Sequence, residues 1–133
     1  MSELNRIEPE WLTLDTVRLI HRRSLAEHGG ADGIRDAGML DSALNRPVNQ
    51  WHYEDADLIK LAAAYAFGIS RNHPFVDGNK RTSYAACRLF LRVNGLDIRA
   101  TQADKYAACI SLASSEWGEA EFEAWLRGHV VAR

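Results

Sequence analysis

The sequence has few of the residues that cross-link or interrupt a chain. Its 133 residues include two cysteines and three prolines. Cys87 and Cys109 have no second Cys or His at metal-binding spacing beside them, so they are expected to be buried free thiols. No low-complexity tract or linker separates the chain into parts, and residues 1–133 are expected to form a single domain.

Long apolar runs and a strong net charge are also missing. No stretch of about 18 apolar residues occurs, and the amino terminus lacks the apolar core of a signal peptide. We therefore expect a cytoplasmic protein that does not contact membranes. The net charge of −2 gives no basic surface for a phosphate backbone, so direct DNA binding is not expected. Any phosphate site must be local.

Capping residues and apolar spacing predict a mainly helical, all-α fold. The expected helices run from Thr13 or Asp15 to about His28, from Asp36 to Pro47, from Asp55 or Asp57 to about Asn72, from about Asn79 to Asn94, from Thr101 to about Ser114, and from Glu119 to Val131. In the first helix, Leu14, Val17 and Ile20 are expected to face inward. The third helix is apolar on several sides, which places it at the centre.

Residues 48–53 are short, aromatic and compatible with a strand. With Pro47 ending the helix before them, they are predicted to form a small β-hairpin or flap. In one interpretation, Trp51, His52 and Tyr53 dock a target segment by strand addition. In the other, Trp51 covers the core. Residues 96–99 are expected to be briefly extended.

The run His-Pro-Phe-Val-Asp-Gly-Asn-Lys-Arg at residues 73–81 joins two of the predicted helices. Pro74 disfavours helical geometry at the residue before it, so His73 is expected to start a fixed loop. Gly78 permits a positive φ, which lets the N–H groups of Gly78, Asn79 and Lys80 point inward as an anion-binding nest. The positive end of the next helix reinforces this nest.

The side chains of the same run suggest a division of roles. Arg81 and Asn79 can donate to phosphate oxygens. Next to a polyphosphate, Asp77 alone is enough to anchor Mg²⁺. His73 is placed to accept a proton from an incoming hydroxyl. Singly, these residues suit a turn or a solvated surface, but two cations at a helix amino terminus require a compensating anion. The combination predicts phosphoryl or nucleotidyl transfer.

These residues resemble the Fic superfamily, whose signature is His-x-Phe-x-(Asp/Glu)-Gly-Asn-Gly-Arg between two helices. Lys80 replaces the second glycine of that signature, as in the death-on-curing toxin branch. Residues 33–47 and 64–68 are also similar to that branch, and the resemblance runs from about His21 to Gly95.

The resemblance implies an all-α Fic fold and a toxin of a type II toxin–antitoxin system. Such a toxin is a kinase that uses ATP and Mg²⁺ to phosphorylate a threonine of elongation factor Tu, and its antitoxin has a disordered tail that folds onto the toxin. By position, His73 would deprotonate the target hydroxyl, Asp77 would bind Mg²⁺, and Phe75 would anchor the loop in the core. The residues that would hold nucleotide phosphates are Asn79, Lys80 and Arg81.

Two alternative functions are compatible with the same residues. The same His73 and Asp77 would serve a Fic-type adenylyltransferase, although the bulk and charge of Lys80 favour a reversed nucleotide with its γ-phosphate at the hydroxyl. A catalytically silent binding module would instead sequester its partner through residues 48–53 and the neighbouring groove.

Overall fold

A computed structural model describes residues 6–133, so the first five residues of the predicted domain lie outside the described part. The described chain is mainly helical, as predicted. Its elements are α1 (Leu14–His28), α2 (Ala37–Tyr53), α3 (Leu58–Asn72), α4 (Asn79–Val93), β1 (Leu96–Ile98), α5 (Gln102–Ala113), α6 (Glu119–Arg127) and β2 (Val130–Ala132).

Helix α3 lies at the centre, which confirms the prediction from its apolar faces. It packs most extensively against α4 and α2, and it also contacts α6 and α5. Most of its residues are buried because alanine and glycine on several sides let neighbouring helices approach closely. The side chains of Tyr65 and Ile69 are fully buried. A rigid central helix therefore leads directly into the loop at residues 73–78.

Four of the helices begin with a side chain that caps their free N–H groups. Thr13, Asp36, Asp57 and Thr101 each accept a hydrogen bond from the backbone N–H three residues later, as the sequence predicts for such residues. Helix α4 differs, because it starts after Gly78 and has no side-chain cap. The amino terminus of α4 is therefore left without the internal partner that these four helices have.

The predicted end of α2 at Pro47 is wrong. The helix continues to Tyr53, so residues 48–53 are helical and do not form the expected strand or flap. Leu40, Ala43, Pro47 and Gln50 recur at helical spacing on the buried face of α2. Burial of this face outweighs the one hydrogen bond that Pro47 cannot donate to Ala43.

The two strands form a small antiparallel sheet, in which Leu96 pairs with Ala132 and Ile98 with Val130. The extended segment predicted at residues 96–99 is confirmed. The predicted helix to Val131 is wrong at its end, because α6 stops at Arg127 and the chain turns at Gly128 to pair with β1. Leu14, which was expected to face inward, is 40% exposed at the start of α1.

Candidate active site

The loop between α3 and α4 brings the predicted site residues together. His73 ends α3 in a left-handed conformation with φ 52°, and Gly78 precedes α4 with φ 79°. The two reversals bend the chain sharply around Pro74 and Phe75. A cavity of about 300 Å³ opens over the loop, and it is lined by His73, Asp77, Gly78, Asn79, Lys80 and Arg81.

Phe75 and Asn79 fix the shape of the loop. The Phe75 ring is fully buried, which confirms its predicted place in the core. The Asn79 side chain accepts a hydrogen bond from the Phe75 N–H at 3.0 Å and donates one to the Phe75 carbonyl at 2.9 Å. Both backbone groups of a buried residue are thereby satisfied, so the loop has a defined geometry without any ligand.

Asn79 also contacts the imidazole of His73. Its Nδ2 lies 3.2 Å from His73 Nδ1. An amide nitrogen can only donate, so Nδ1 accepts and the neutral ring carries its proton on Nε2. Both amide hydrogens of Asn79 are then used inside the loop. The phosphate-binding role predicted for Asn79 stays a prediction, and it rests on the backbone N–H of that residue.

The Asp77 carboxylate is exposed and held at both oxygens. Oδ1 accepts from the Gly78 N–H at 3.1 Å, and Oδ2 accepts from the Ala31 N–H at 3.2 Å. A Cβ on Gly30 would lie 3.1 Å from Oδ2, so a glycine there permits this close approach. Each oxygen keeps a further lone pair for a cation.

Asp77 suits Mg²⁺ better than a metal that needs several protein ligands. Within residues 6–133, no group of three or more His, Cys, Asp or Glu side chains converges on a point. A cation at Asp77 must therefore take its remaining ligands from water and from a bound phosphate, as Mg²⁺ commonly does. The donor set fits the predicted Mg²⁺ site.

The amino terminus of α4 forms the opposite wall of the cavity. Its first intrahelical bond joins the Thr82 N–H to the Gly78 carbonyl, and the N–H groups of residues 79–81 have no side-chain cap. The first turn contains no acidic residue, and Lys80 and Arg81 are exposed beside it. Free N–H groups and two cations together favour an anion at this position.

The segment at residues 29–36 holds the loop from outside, a role that the sequence analysis did not assign to it. The Arg35 guanidinium donates to the carbonyls of His73 at 2.7 Å and Asn72 at 2.8 Å. The N–H groups of Arg35 and Asp36 donate to the Pro74 carbonyl. The signal for this segment is the run Gly29, Gly30 and Gly33, all with positive φ.

The sequence model of the Fic/DOC family matches residues 11–91, which include α1 to α3, the whole loop and α4 as far as Leu91. The chain belongs to the Fic/DOC family.

Two curated relatives of this Fic/DOC chain cover different shares of it. It is similar to Toxin Doc of Mycolicibacterium smegmatis, with 45% identity over 74 residues, which make up 54% of this chain and 57% of that protein. It is also similar to Protein kinase doc of Escherichia phage P1, with 32% identity over 96 residues, 71% of this chain and 72% of that protein. The chain thus matches little more than half the length of the first relative.

The residues predicted to dock a target lie away from the Fic/DOC loop. Trp51 packs edge-on against Trp11 at a centroid distance of 6.4 Å, which agrees with the interpretation that it covers the core. His52 and Tyr53 are exposed at the end of α2. The other end of α2 meets the loop, where the Asn72 side chain donates to the Met39 carbonyl. The length of the helix separates the two places by about 20 Å.

The cysteines do not contribute a nucleophile to this Fic/DOC site. Both are free, Cys87 is buried, and Cys109 is partly buried. Burial raises the pKa of both thiols, that of Cys109 to about 11. Thiolates are therefore scarce at neutral pH, and His73 remains the candidate for proton transfer.

None of the helices in residues 6–133 is long and apolar enough to cross a bilayer.

Proposed function

We propose that this chain is the toxin of a type II toxin–antitoxin system and acts as a protein kinase in the cytoplasm. It transfers the γ-phosphate of ATP to a threonine of elongation factor Tu and so blocks translation. The names of the two relatives, a toxin and a protein kinase, support this proposal. The observation that carries it is the uncapped amino terminus of α4, with Lys80 and Arg81 exposed beside His73 and Asp77.

The phosphates are assigned to the α4 side of the cavity. The N–H groups of residues 79–81 supply donors that the protein does not otherwise use, and the helix dipole adds positive potential. Lys80 and Arg81 add two full charges. Arg81 offers a planar fork of donors, whereas Lys80 acts as a point charge. Lys80 lines the site where the Fic signature has glycine. Because the bulk and charge of Lys80 favour a reversed nucleotide, we assign the γ-phosphate to the reacting position.

Asp77 is assigned to the cation that accompanies the nucleotide. Its carboxylate is fixed by the N–H groups of Gly78 and Ala31, so its free lone pairs point in a defined direction. A Mg²⁺ ion bound there would neutralise charge on the phosphates. The protein contributes a single carboxylate, held rigidly at the edge of the cavity.

His73 is assigned as the general base. In the described arrangement the unprotonated Nδ1 accepts from the Asn79 amide, so the target hydroxyl displaces that amide and gives its proton to Nδ1. The hydroxyl oxygen forms a bond to the γ-phosphorus while the bond from that phosphorus to the leaving oxygen of the β-phosphate breaks, so the products are the phosphothreonine and ADP. Before the hydroxyl binds, Asn79 orients the imidazole, and Arg35 holds the backbone of His73.

The intact mass of elongation factor Tu tests the proposal. The factor is incubated with the purified protein, Mg²⁺ and ATP, and we expect a gain of one phosphate. His73→Ala should abolish the gain. His73→Asn is a matched second variant, because asparagine tolerates a left-handed backbone and lacks the base.

Each other outcome contradicts the kinase proposal in a different way. A gain of AMP that depends on His73 would make the protein an adenylyltransferase. Growth inhibition that persists in His73→Ala would indicate a binding module without catalysis. No mass change with either the protein or its variants would refute elongation factor Tu as the target.

We also propose that a cognate antitoxin silences the protein by folding a disordered tail onto it. Leu14, Leu19 and Val93 are exposed apolar side chains on the packed helices α1 and α4, where an amphipathic segment would find apolar surface. Co-expression of the two proteins and size-exclusion chromatography test this. We expect one stable complex, and separate elution would contradict the proposal.

A further inference from the structure

His21 is a buried polar side chain that none of the assigned roles uses. It lies in the middle of α1 and is 2% exposed. A buried imidazole lowers the stability of a fold unless its nitrogens find partners. Both partners of His21 belong to the loop of the candidate active site.

The first partner is the ring of Phe75. The two rings stack with their centroids 3.8 Å apart and their planes 10° from parallel. This contact fixes the plane of the imidazole, because Phe75 is itself fully buried and tied to Asn79. His21 therefore has little freedom to turn away from the loop.

The second partner is the backbone carbonyl of Asp77, which lies 2.8 Å from His21 Nε2. A carbonyl oxygen only accepts, so Nε2 carries the proton and donates the hydrogen bond. Gly78 packs beside the same ring, since a Cβ there would lie 3.5 Å from His21 Cδ2. His21 thus contacts the loop from behind and does not line the cavity over it.

The hydrogen bond fixes more than one atom. The Asp77 carbonyl and the Gly78 N–H belong to one planar peptide group, so holding the carbonyl sets the direction of the N–H. That N–H donates to Asp77 Oδ1 at 3.1 Å, which in turn orients the carboxylate. Glycine at position 78 gives this peptide group unusual freedom to rotate, so an external clamp is needed.

We propose that His21 is a positioning residue that sets the orientation of the Asp77 carboxylate by clamping the peptide group between Asp77 and Gly78. The proposal rests on the proposed function, in which Asp77 holds the cation of the nucleotide. His21 acts through Asp77 and touches neither nucleotide nor target. Losing the clamp lets the carboxylate and the Gly78 N–H turn together, which weakens the binding of the cation–nucleotide pair.

Two substitutions separate the parts of the clamp. His21→Phe keeps an aromatic ring to stack on Phe75 but has no donor for the Asp77 carbonyl. His21→Gln keeps an N–H donor at a similar reach and loses the ring. His28→Phe is the matched control, because His28 is exposed at the end of the same helix. Circular dichroism identifies a temperature at which all variants are folded.

Calorimetric titration with Mg²⁺ and a non-hydrolysable ATP analogue is the first measurement. We expect His21→Phe to weaken binding about 10-fold or more, as losses of groups that support a metal ligand commonly do. His21→Gln should recover most of the affinity, and His28→Phe should bind like the wild type. In the kinase assay, His21→Phe should raise KM for the nucleotide more than it lowers kcat.

Hydrogen exchange of the Gly78 amide is the second measurement, and it needs no ligand. We expect faster exchange in His21→Phe than in His21→Gln. Unchanged exchange and unchanged affinity in a folded His21→Phe would overturn the proposal. A loss in His21→Gln with none in His21→Phe would likewise overturn it, because it would show that stacking matters and the hydrogen bond does not. A wild-type protein that binds no nucleotide would refute the proposed function, while the exchange experiment would still decide whether His21 holds the peptide group.

Discussion

Asn79 bonds to both backbone groups of Phe75, and it places its amide against the imidazole of His73. The sequence shows an amide beside two cations and therefore suggests a phosphate ligand. It does not show that both hydrogens of that amide point back into the loop. The contribution of Asn79 to the fold and its contribution to ligand binding can be separated by experiment.

We expect Asn79→Ala to lower the free energy of unfolding by about 1–3 kcal/mol, because it leaves the N–H and carbonyl of buried Phe75 without their partner. Urea denaturation measures this. Asn79→Asp should destabilise at least as much at neutral pH, since it keeps the acceptor for the N–H but places a buried carboxylate against the Phe75 carbonyl. The neighbouring exposed Lys80→Ala should change stability by less than about 0.5 kcal/mol. A fully stable Asn79→Ala with weaker nucleotide binding would contradict this assignment.

At the scale of elements, the crossing of α2 and α3 depends on one glycine. Gly68 faces Ala43, and a Cβ on Gly68 would lie 3.2 Å from Ala43 Cα and 3.3 Å from its carbonyl oxygen. That carbonyl is the one to which Pro47 cannot donate, so Gly68 of α3 packs where α2 lacks one intrahelical hydrogen bond. The van der Waals contacts between Gly68 and Ala43 compensate for the missing hydrogen bond.

Gly68→Ala should therefore destabilise the protein by about 1–3 kcal/mol through overpacking, although alanine is the better helix former. Gly38→Ala is the matched control in α2, since its nearest contact would be Asp36 Oδ1 at 3.4 Å. We expect it to stabilise the protein by about 0.5–1 kcal/mol. Thermal and urea unfolding distinguish the two. Equal gains in both variants would show that the crossing tolerates a methyl group.

The sequence predicted an element correctly where interactions between neighbouring residues determine where that element begins or ends. Thr13 and Asp57 cap helices because their side chains reach an N–H three residues away, which a sequence displays directly. The prediction that α2 ends at Pro47 was wrong because burial of one face of the helix, a tertiary effect, stabilises the helix beyond the proline. In the site, the composition of residues 73–81 identified the loop, whereas the contacts of His21 and Arg35 join it to distant elements, and the residue types of His21 and Arg35 do not reveal those contacts.

At the scale of the whole molecule, the helix pair α3 and α4 connects the loop at one end to the N-terminal segment at the other. The loop at residues 73–78 joins the two helices at one end. At the other end the N-terminal segment is fastened by reciprocal hydrogen bonds between the Glu10 backbone and the Asn94 side chain. Between the ends, the Tyr65 hydroxyl accepts from the Leu12 N–H at 3.0 Å, and burial raises the pKa of Tyr65 to about 12. This fastening stabilises the fold without touching the site.

We expect Tyr65→Phe to lower the free energy of unfolding by about 1–2 kcal/mol, because the buried Leu12 N–H loses its acceptor. The rate of the proposed phosphoryl transfer, at a temperature where the protein is folded, should not change. Tyr106→Phe is the control, since Tyr106 is 66% exposed on α5. Denaturation curves and the elongation factor Tu assay give the two readouts. A loss of rate without a loss of stability would mean that the two ends are coupled.

The left-handed backbone of His73 lowers the stability of the fold at the residue that is proposed to act as the base. A residue with a β-carbon held at φ 52° costs about 1 kcal/mol relative to glycine, and this strain falls on the proposed base itself. Selection for folding alone would replace His73 with glycine or asparagine. Copies that no longer need the proposed base should therefore drift toward these two residues and become harder to unfold as they lose the proposed activity.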